Sequence, residues 1–261
     1  MLQYCSLFSG SSGNSFFIQN NDTNILVDSG VSARKIISAL KTINIDINSI
    51  DAILVTHEHV DHINSIDTLS IKYNIPVYAN KKTWDAMEDK KNKIKNKKIF
   101  NISEKFKIGS LQFFPFSISH DAAEPCGFKI FDDKRVISIA TDLGYIDSTL
   151  FNCLAGSSDI LLESNHETEL LKLSSYPYLL KRRISGPLGH LSNDMAGDLL
   201  LKLIDKGLKN VLLVHLSKEN NFPQLAYKTV EQKLIENNYS LQNLNIGIAP
   251  RNHPSEMYKV I

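Results

Sequence analysis

The apolar run AILVT, residues 52–56, passes without a break into HEHVDH, residues 57–62. The first segment reads as a buried strand, because continuous apolar and β-branched residues fit a pleated core surface. The second places three imidazoles and two carboxylates in six positions. Ionisable groups are costly to bury unless they are paired or hold a metal, and a cluster this dense has no purpose on a bare surface. The fold must therefore bring this strand end to an edge where something binds. A lone H-x-H would pass for a solvated loop or helix cap; H-x-H-x-D-H directly behind a core strand points away from that reading.

Segments 2–8, 14–19, 24–28, 51–56, 75–79, 111–120, 126–131, 135–142, 158–164, 210–215 and 243–249 carry the alternation or short apolar runs of strands. Segments 31–43, 62–73, 82–95, 194–207 and 223–237 read as helices, the fourth amphipathic and closed by Gly207. No repeat, proline-rich linker or low-complexity tract interrupts them, so one domain is expected over 1–261, long enough for a sizeable core. Two helix-covered sheets in an αββα sandwich fit this order, and a single parallel α/β sheet fits it equally. A hydrophobic share of 43% predicts a folded globular protein. The formal net charge of +1 argues against a generally basic nucleic-acid coat protein without excluding a local basic track. No N-terminal apolar region or membrane-length apolar run is present, so a cytoplasmic protein with no membrane partner is expected. Cys5, Cys126 and Cys153 are odd in number and far apart, which predicts free thiols rather than disulfides or a cysteine zinc site.

Zinc-like ions take neutral imidazoles and carboxylates. His57 and His59 are spaced to project together from a loop leaving a strand, and Asp61 and His62 follow to serve a second ion. Four ligands cannot fill two coordination spheres. The remaining candidates stand at the ends of apolar strands: His120 after FSIS, Asp142 after VISIAT and His215 after VLLV. Singly, each reads equally well as a capping or loop residue; together they share one kind of placement.

The order H-x-H-x-D-H, His, Asp, His resembles the metallo-β-lactamase superfamily over essentially the whole chain. The stretches SLFSGSSGNS, VTHEHVDH, SHDAAEPCGF, ATDLGY, LLESNHE, GHLSND and VHLSKENN are similar to the bacterial YycJ/WalJ group of metal-dependent nucleases. The resemblance implies an α/β fold, the four-layer αββα sandwich, with two divalent ions per chain, zinc or manganese. It implies that His57, His59 and His120 hold one ion, that Asp61, His62 and His215 hold the other, and that Asp142 bridges them. Asp61 is expected in the catalytic set as well as the ligand set. The implied activity is 5′→3′ exonuclease action on DNA by an acidified water shared between the ions.

A leaving alkoxide needs a proton. His190, in GHLSND, lies outside the ligand set and resembles the histidine that follows the bridging aspartate in RNase Z-type nucleases; Glu163, ending LLE, matches the glutamate that positions it. His190 is therefore expected to be the general acid, oriented and kept protonated by Glu163, against the bland reading of a histidine bonding its own turn. Ser192 or Asn193 is expected to cap the following helix, where a phosphate could rest.

Ser12 and Asn14 sit in SGSSGNS, which lacks the lysine of a P-loop and reads first as a strand–strand turn. The resemblance places that turn near the metal edge, so both residues are expected to touch substrate. Arg182 and Arg183 precede His190 in sequence and are expected on the nucleic-acid backbone. Residues 81–107 hold ten lysines against four acidic residues and read as a solvated face. Asp28 is expected in a supporting or structural role, His166 either lines the cleft or caps, and His253 is expected in solvent. Three further readings compete: an RNA-processing nuclease, a thioester or lactone hydrolase of the same fold, and a metal-bearing scaffold or signalling accessory without turnover, against which the intact ligand set argues. The short span between Asp142 and His190 leaves no room for the inserted domain of β-CASP nucleases, and no long exosite arm is evident.

Overall fold

The computed structural model describes residues 1–133, 135–240, 242 and 244–260. The chain forms two compact units, Met1–Ser117 with Ala122–Arg135 and Pro250–Ile261, and Ile118–Asp121 with Val136–Ala249. In chain order the first unit contains strands β1 (Gln3–Phe8), β2 (Ser15–Gln19) and β3 (Asn24–Val27), then helix α1 (Ala33–Thr42) and strand β4 (Ala52–Leu54). Helices α2 (Val60–Ile63) and α3 (Ile66–Tyr73) follow, then β5 (Val77–Ala79), α4 (Lys81–Lys91), β6 (Lys97–Ile99), β7 (Phe106–Ile108), β8 (Leu111–Ser117) and β9 (Cys126–Asp132). From Val136 of strand β10 (Arg135–Ala140) onward the chain is in the second unit, with α5 (Ser148–Leu154), β11 (Asp159–Glu163), α6 (Thr168–Leu173), α7 (Tyr178–Ile184), α8 (Asn193–Ile204), β12 (Asn210–Val214), α9 (Pro223–Glu236) and β13 (Asn245–Ile248). The chain returns to the first unit for β14 (Tyr258–Lys259).

In the first unit one sheet runs β14-β1-β2-β3-β4-β5-β6. It is antiparallel through β14, β1, β2 and β3 and parallel from β3 to β6. That mixture excludes the single parallel sheet that the element order also allowed. Leu7, Phe17, Leu26 and Ile53 from its strands form one buried cluster with Leu40 of α1 and Ile66 and Leu69 of α3. Strands β7, β8 and β9 form an antiparallel meander. In the second unit β10, β11, β12 and β13 are all parallel. Helix α8 buries Ala196, Leu199, Leu200 and Leu203, the i, i+3, i+4, i+7 stripe of a core-facing helix. Its outer side is clamped to α9 by Lys233, which bonds Asp194 at 2.9 Å and Asp198 at 3.0 Å.

The helix expected over 62–73 is two helices. At Ser65 the chain turns to Ser29, with Ser65 N donating to Ser29 O at 3.0 Å and the two hydroxyls 2.8 Å apart, and this side-on bonding interrupts the helical ladder. Helix α4 stops at Lys91, short of the expected 95, where Lys91 turns in to bond Asp67 at 2.8 Å. The strand expected over 243–249 is Asn245–Ile248, and Asn243 lies outside the described residues. Strands β6, β7 and β14 and helices α5, α6 and α7 were not anticipated. The strands have two or three residues, and β6 is wholly exposed, so no alternation marks it. Helix α5 did carry a start signal, Asp147, whose carboxylate accepts from Leu150 N at 2.7 Å.

Candidate metal centre

In the first unit the expected residues gather at the carboxyl ends of β3 and β4, the edge at which open parallel sheets present ligands. Asp28 follows β3 and is fully buried; it accepts from Thr56 N at 2.9 Å and from Thr56 Oγ1 at 2.8 Å. Its Oδ2 also lies 2.8 Å from His62 Nδ1. Because the Thr56 hydroxyl donates to Asp28, its oxygen accepts from His57 Nδ1, 3.0 Å away. One carboxylate thus sets both ring tautomers: Nδ1 carries the proton and Nε2 of each ring is left as the lone-pair nitrogen, which at His62 faces the Asn14 amide. His59 occupies the N-cap position of α2, and its ring lies 4.6 Å from that of His57. His62 Nε2 lies 3.7 Å from Asp61 Oδ2.

Gly30 makes this packing possible. A Cβ there would collide with the Asp61 carbonyl, while Gly30 N donates to Asn14 O and Asn14 N to Asp61 O, each at 2.8 Å. Asn14, expected against substrate, is instead wholly buried. Its side chain accepts from Gly10 N at 2.9 Å and holds its amide nitrogen 3.1 Å from His62 Nε2, so it braces the loop. Ser12 stands exposed on the turn.

In the second unit Asp142, Glu163 and His215 close three neighbouring parallel strands, β10, β11 and β12. The paired ends, Ala140 with Leu162 and Glu163 with Val214, bring all three to one edge. Asp142 and His215 both adopt positive φ, 60° and 57°, a region that Asp and His tolerate better than most side chains. His215 Nδ1 lies 3.1 Å from Asp142 Oδ1. His120 donates Nδ1 to Gly189 O at 3.0 Å, which leaves Nε2 as its lone-pair nitrogen, 3.7 Å from Asp142 Oδ1.

Glu163 does more than orient His190. Its Oε1 is 2.8 Å from His190 Nδ1, and its Oε2 accepts from Leu143 N at 2.6 Å and Leu191 N at 3.2 Å. One buried carboxylate therefore joins the segment after β10 to the segment carrying His190. Burial alone would raise the Glu163 pKa, but the charges and hydrogen bonds of His190 and His215 outweigh it and hold it at about 2. Burial pulls His190 down, and the Glu163 charge and hydrogen bond more than reverse this, leaving its pKa raised. His215 shows the same balance against Asp142 and Glu163 and is raised to about 10. Burial dominates at His120 and lowers it.

The donor set fits a divalent ion. Asp142, Glu163, His190 and His215 offer ligand atoms within 4.8 Å of one another. Within that group both Glu163 oxygens are engaged by protein donors, and Asp142 and His215 are the two residues expected as ligands. In both units each imidazole of the expected set whose Nδ1 is hydrogen-bonded presents Nε2, the arrangement that supporting bonds give to metal-binding histidines.

The remaining expected residues divide. Ser192 caps α8, accepting from Met195 N at 3.2 Å. Asn193, the other expected cap and phosphate contact, is instead a buried brace: its amide bonds Ser164 at 2.6 Å, Glu167 at 3.0 Å and Asn221 at 2.8 and 3.2 Å, and no polar atom is left over. Arg183 forks onto Asp121 at 2.6 and 3.0 Å. That pair, which sequence reasoning missed, engages the guanidinium expected on substrate. Arg182 lines a cavity of about 660 Å³ together with His166 and His190. His253 is exposed. Of the lysines in 81–107, Lys81 pairs with Asp85, Lys82 with Glu124 and Lys91 with Asp67.

The chain matches the beta-lactamase superfamily domain over residues 23–216. It is 39% identical over 250 residues to the exodeoxyribonuclease WalJ of Streptococcus pneumoniae, covering 94% of this chain and 91% of that one. It is 36% identical over 242 residues to the exodeoxyribonuclease YycJ of Bacillus anthracis, covering 92% of each. Among solved structures, the metallo-β-lactamase fold protein YhfI of Bacillus subtilis superposes with a TM-score of 0.73 at 16% identity, covering 98% of this chain and 99% of that one. That likeness shows the fold, the α/β sandwich expected from the motif order. With histidines and carboxylates standing at the carboxyl ends of its strands and a family match across most of its length, the chain belongs to the metallo-β-lactamase superfamily.

Proposed function

We propose that this protein is a two-metal-dependent phosphodiesterase that degrades DNA from the 5′ end in the cytoplasm. The observation that carries the reading is the His190–Glu163 pair, an imidazole held at 2.8 Å by a buried carboxylate at the same strand edge as Asp142 and His215. The exodeoxyribonuclease relatives support DNA as the substrate.

His57, His59, Asp61 and His62 of the first unit and His120, Asp142 and His215 of the second would hold the divalent ions. When bound, divalent ions supply an acidified water and offset charge on the non-bridging phosphate oxygens. The chain's own groups do the rest. Asp28 and Thr56 hold the His57 and His62 rings in the ligating tautomer. Glu163 keeps the His190 Nδ1 proton engaged, so Nε2–H faces the leaving oxygen and gives up its proton as the P–O bond breaks. Lys and Arg side chains hold the phosphate backbone.

Purified protein, loaded with Mn²⁺ or Zn²⁺, should cleave DNA in a panel of single- and double-stranded DNA, RNA, a lactone and a thioester. Preferential cleavage of RNA would replace the DNA reading with RNA processing. Turnover of the lactone or thioester with every nucleic acid intact would replace it with a small-molecule hydrolase.

A further inference from the structure

The second unit contains a cavity of about 660 Å³ that has His190 in its wall. The volume falls within the roughly 300–1,000 Å³ usual for pockets that enclose a small ligand. Its lining mixes two chemistries. Lys172 of α6 and Lys181 and Arg182 of α7 are cationic, and the Ser192-capped start of α8 opens on the same space. Tyr178, Leu171 and Met195 are flat or apolar. The Arg182 guanidinium lies 5.8 Å from the centre of the Tyr178 ring, and among the described residues it makes no ion pair. Asp194, the acidic residue of the wall, is already bonded to Lys233 at 2.9 Å. Phosphate and a stacking base are what such a combination recognises.

A second observation points to a ligand. His166 lines the cavity at 3% exposure, and among the described residues its buried Nδ1 finds no hydrogen-bond partner. A buried ring nitrogen left unmatched is costly and rare. Its backbone is fixed, with His166 O accepting from Asn193 N at 3.0 Å, so the side chain is held at the wall. A bound polar group would supply the missing partner.

We infer that this cavity seats the terminal nucleotide of a 5′-phosphorylated strand, with Arg182 and its neighbours on the 5′-phosphate and Tyr178 against the base. The inference rests on the exonuclease reading and deepens it. If His190 gives its proton to the leaving oxygen, the space it borders belongs to the leaving nucleotide. Water oxygen bonds to the phosphorus of the second nucleotide, and the bond from that phosphorus to the terminal 3′ oxygen breaks. The 3′ oxygen takes the His190 proton, and the proton lost by the water restores the balance. The terminal nucleotide leaves with its 5′-phosphate and a 3′-hydroxyl, and the shortened strand carries a new 5′-phosphate. Each turnover thereby regenerates the end that the cavity reads.

The test uses metal-free protein and calorimetry with thymidine 5′-monophosphate, thymidine and inorganic phosphate. The nucleotide should bind, and either fragment alone should bind far more weakly. Helix α7 buries none of its residues and Tyr178 is 70% exposed, so substitutions there spare the fold. Tyr178→Ala and Arg182→Ala should each weaken nucleotide binding by about tenfold or more, and Tyr178→Phe should retain it. On DNA, Arg182→Ala should raise KM and erase the preference for a 5′-phosphoryl over a 5′-hydroxyl end. Phosphate binding as tightly as the nucleotide would reduce the cavity to an anion site and overturn the inference. DNA cleavage without nucleotide binding would overturn it while leaving the exonuclease reading intact. Nucleotide binding without cleavage of any DNA would overturn the exonuclease reading, and with it the leaving-nucleotide role.

Discussion

Asp28, Asp142 and His215 each hold a positive φ, between 57° and 61°. Sparsely populated backbone states persist where the surroundings over-determine them, and they cluster at functional sites. Sequence supplied the residue types, since Asp and His suit that region, but not the conformation itself. That the expected histidines, His190 among them, would stand at strand ends and beside carboxylates was legible because their motifs are local and dense. The bracing roles of Asn14 and Asn193 were not, because burial depends on contacts far away in sequence. His190→Ala should keep its metal content and lose roughly 10²–10⁴-fold in cleavage rate on DNA. A p-nitrophenyl phosphodiester, whose leaving group needs no proton, should recover part of that loss, and metal loss in the variant would instead mark His190 as a ligand. Because Glu163 raises the His190 pKa, the acid stays protonated to higher pH and activity falls as pH rises through that value. Glu163→Gln should shift this alkaline limb to lower pH in a pH–rate profile. It should also cost stability of about 1–3 kcal/mol in urea unfolding, because the amide oxygen can still accept from Leu143 N and Leu191 N but the charged acceptor at His190 Nδ1 is lost.

Both candidate ligand groups stand at the carboxyl ends of parallel strands, β3 and β4 in one unit and β10 to β12 in the other. Parallel strands all end on the same side, so a polar residue placed just past each apolar run arrives at a common edge. That is why AILVT, VISIAT, LLE and VLLV could be read for both strand and site. Elements without such a core run were missed: α7 buries nothing, and β6 pairs through three exposed residues. The long helix expected after His62 failed because side-chain bonding between Ser29 and Ser65 competes locally with the helical ladder. The loop that carries His57 to His62 depends on Gly30 for its close approach. Gly30→Ala should force the Asp61 carbonyl away, destabilise the protein by about 1–3 kcal/mol and lower its metal content. A variant with wild-type metal content and unfolding midpoint would show that the loop tolerates the displacement.

At the scale of the molecule the net charge is only +1, so affinity for DNA must come from local cations rather than a basic surface. No helix among the described residues is long and apolar enough to cross a membrane. DNA binding by the catalytically impaired His190→Ala variant should weaken steeply as salt rises from 50 to 200 mM, because phosphate neutralisation releases counterions. Arg182→Ala should flatten that slope. Arg183→Ala should change it less, since its guanidinium is already engaged by Asp121. Equal slopes for both variants would remove the distinction between the cavity arginine and the paired one. The most direct test of the account is product analysis on DNA labelled at either end, using protein stripped with a chelator and then refilled. The account predicts no cleavage in the stripped protein, recovery on adding Mn²⁺ or Zn²⁺, and immediate release of label as a mononucleotide from the 5′ end only. Cleavage that persists without metal, or mononucleotides released first from the 3′ end, would contradict it.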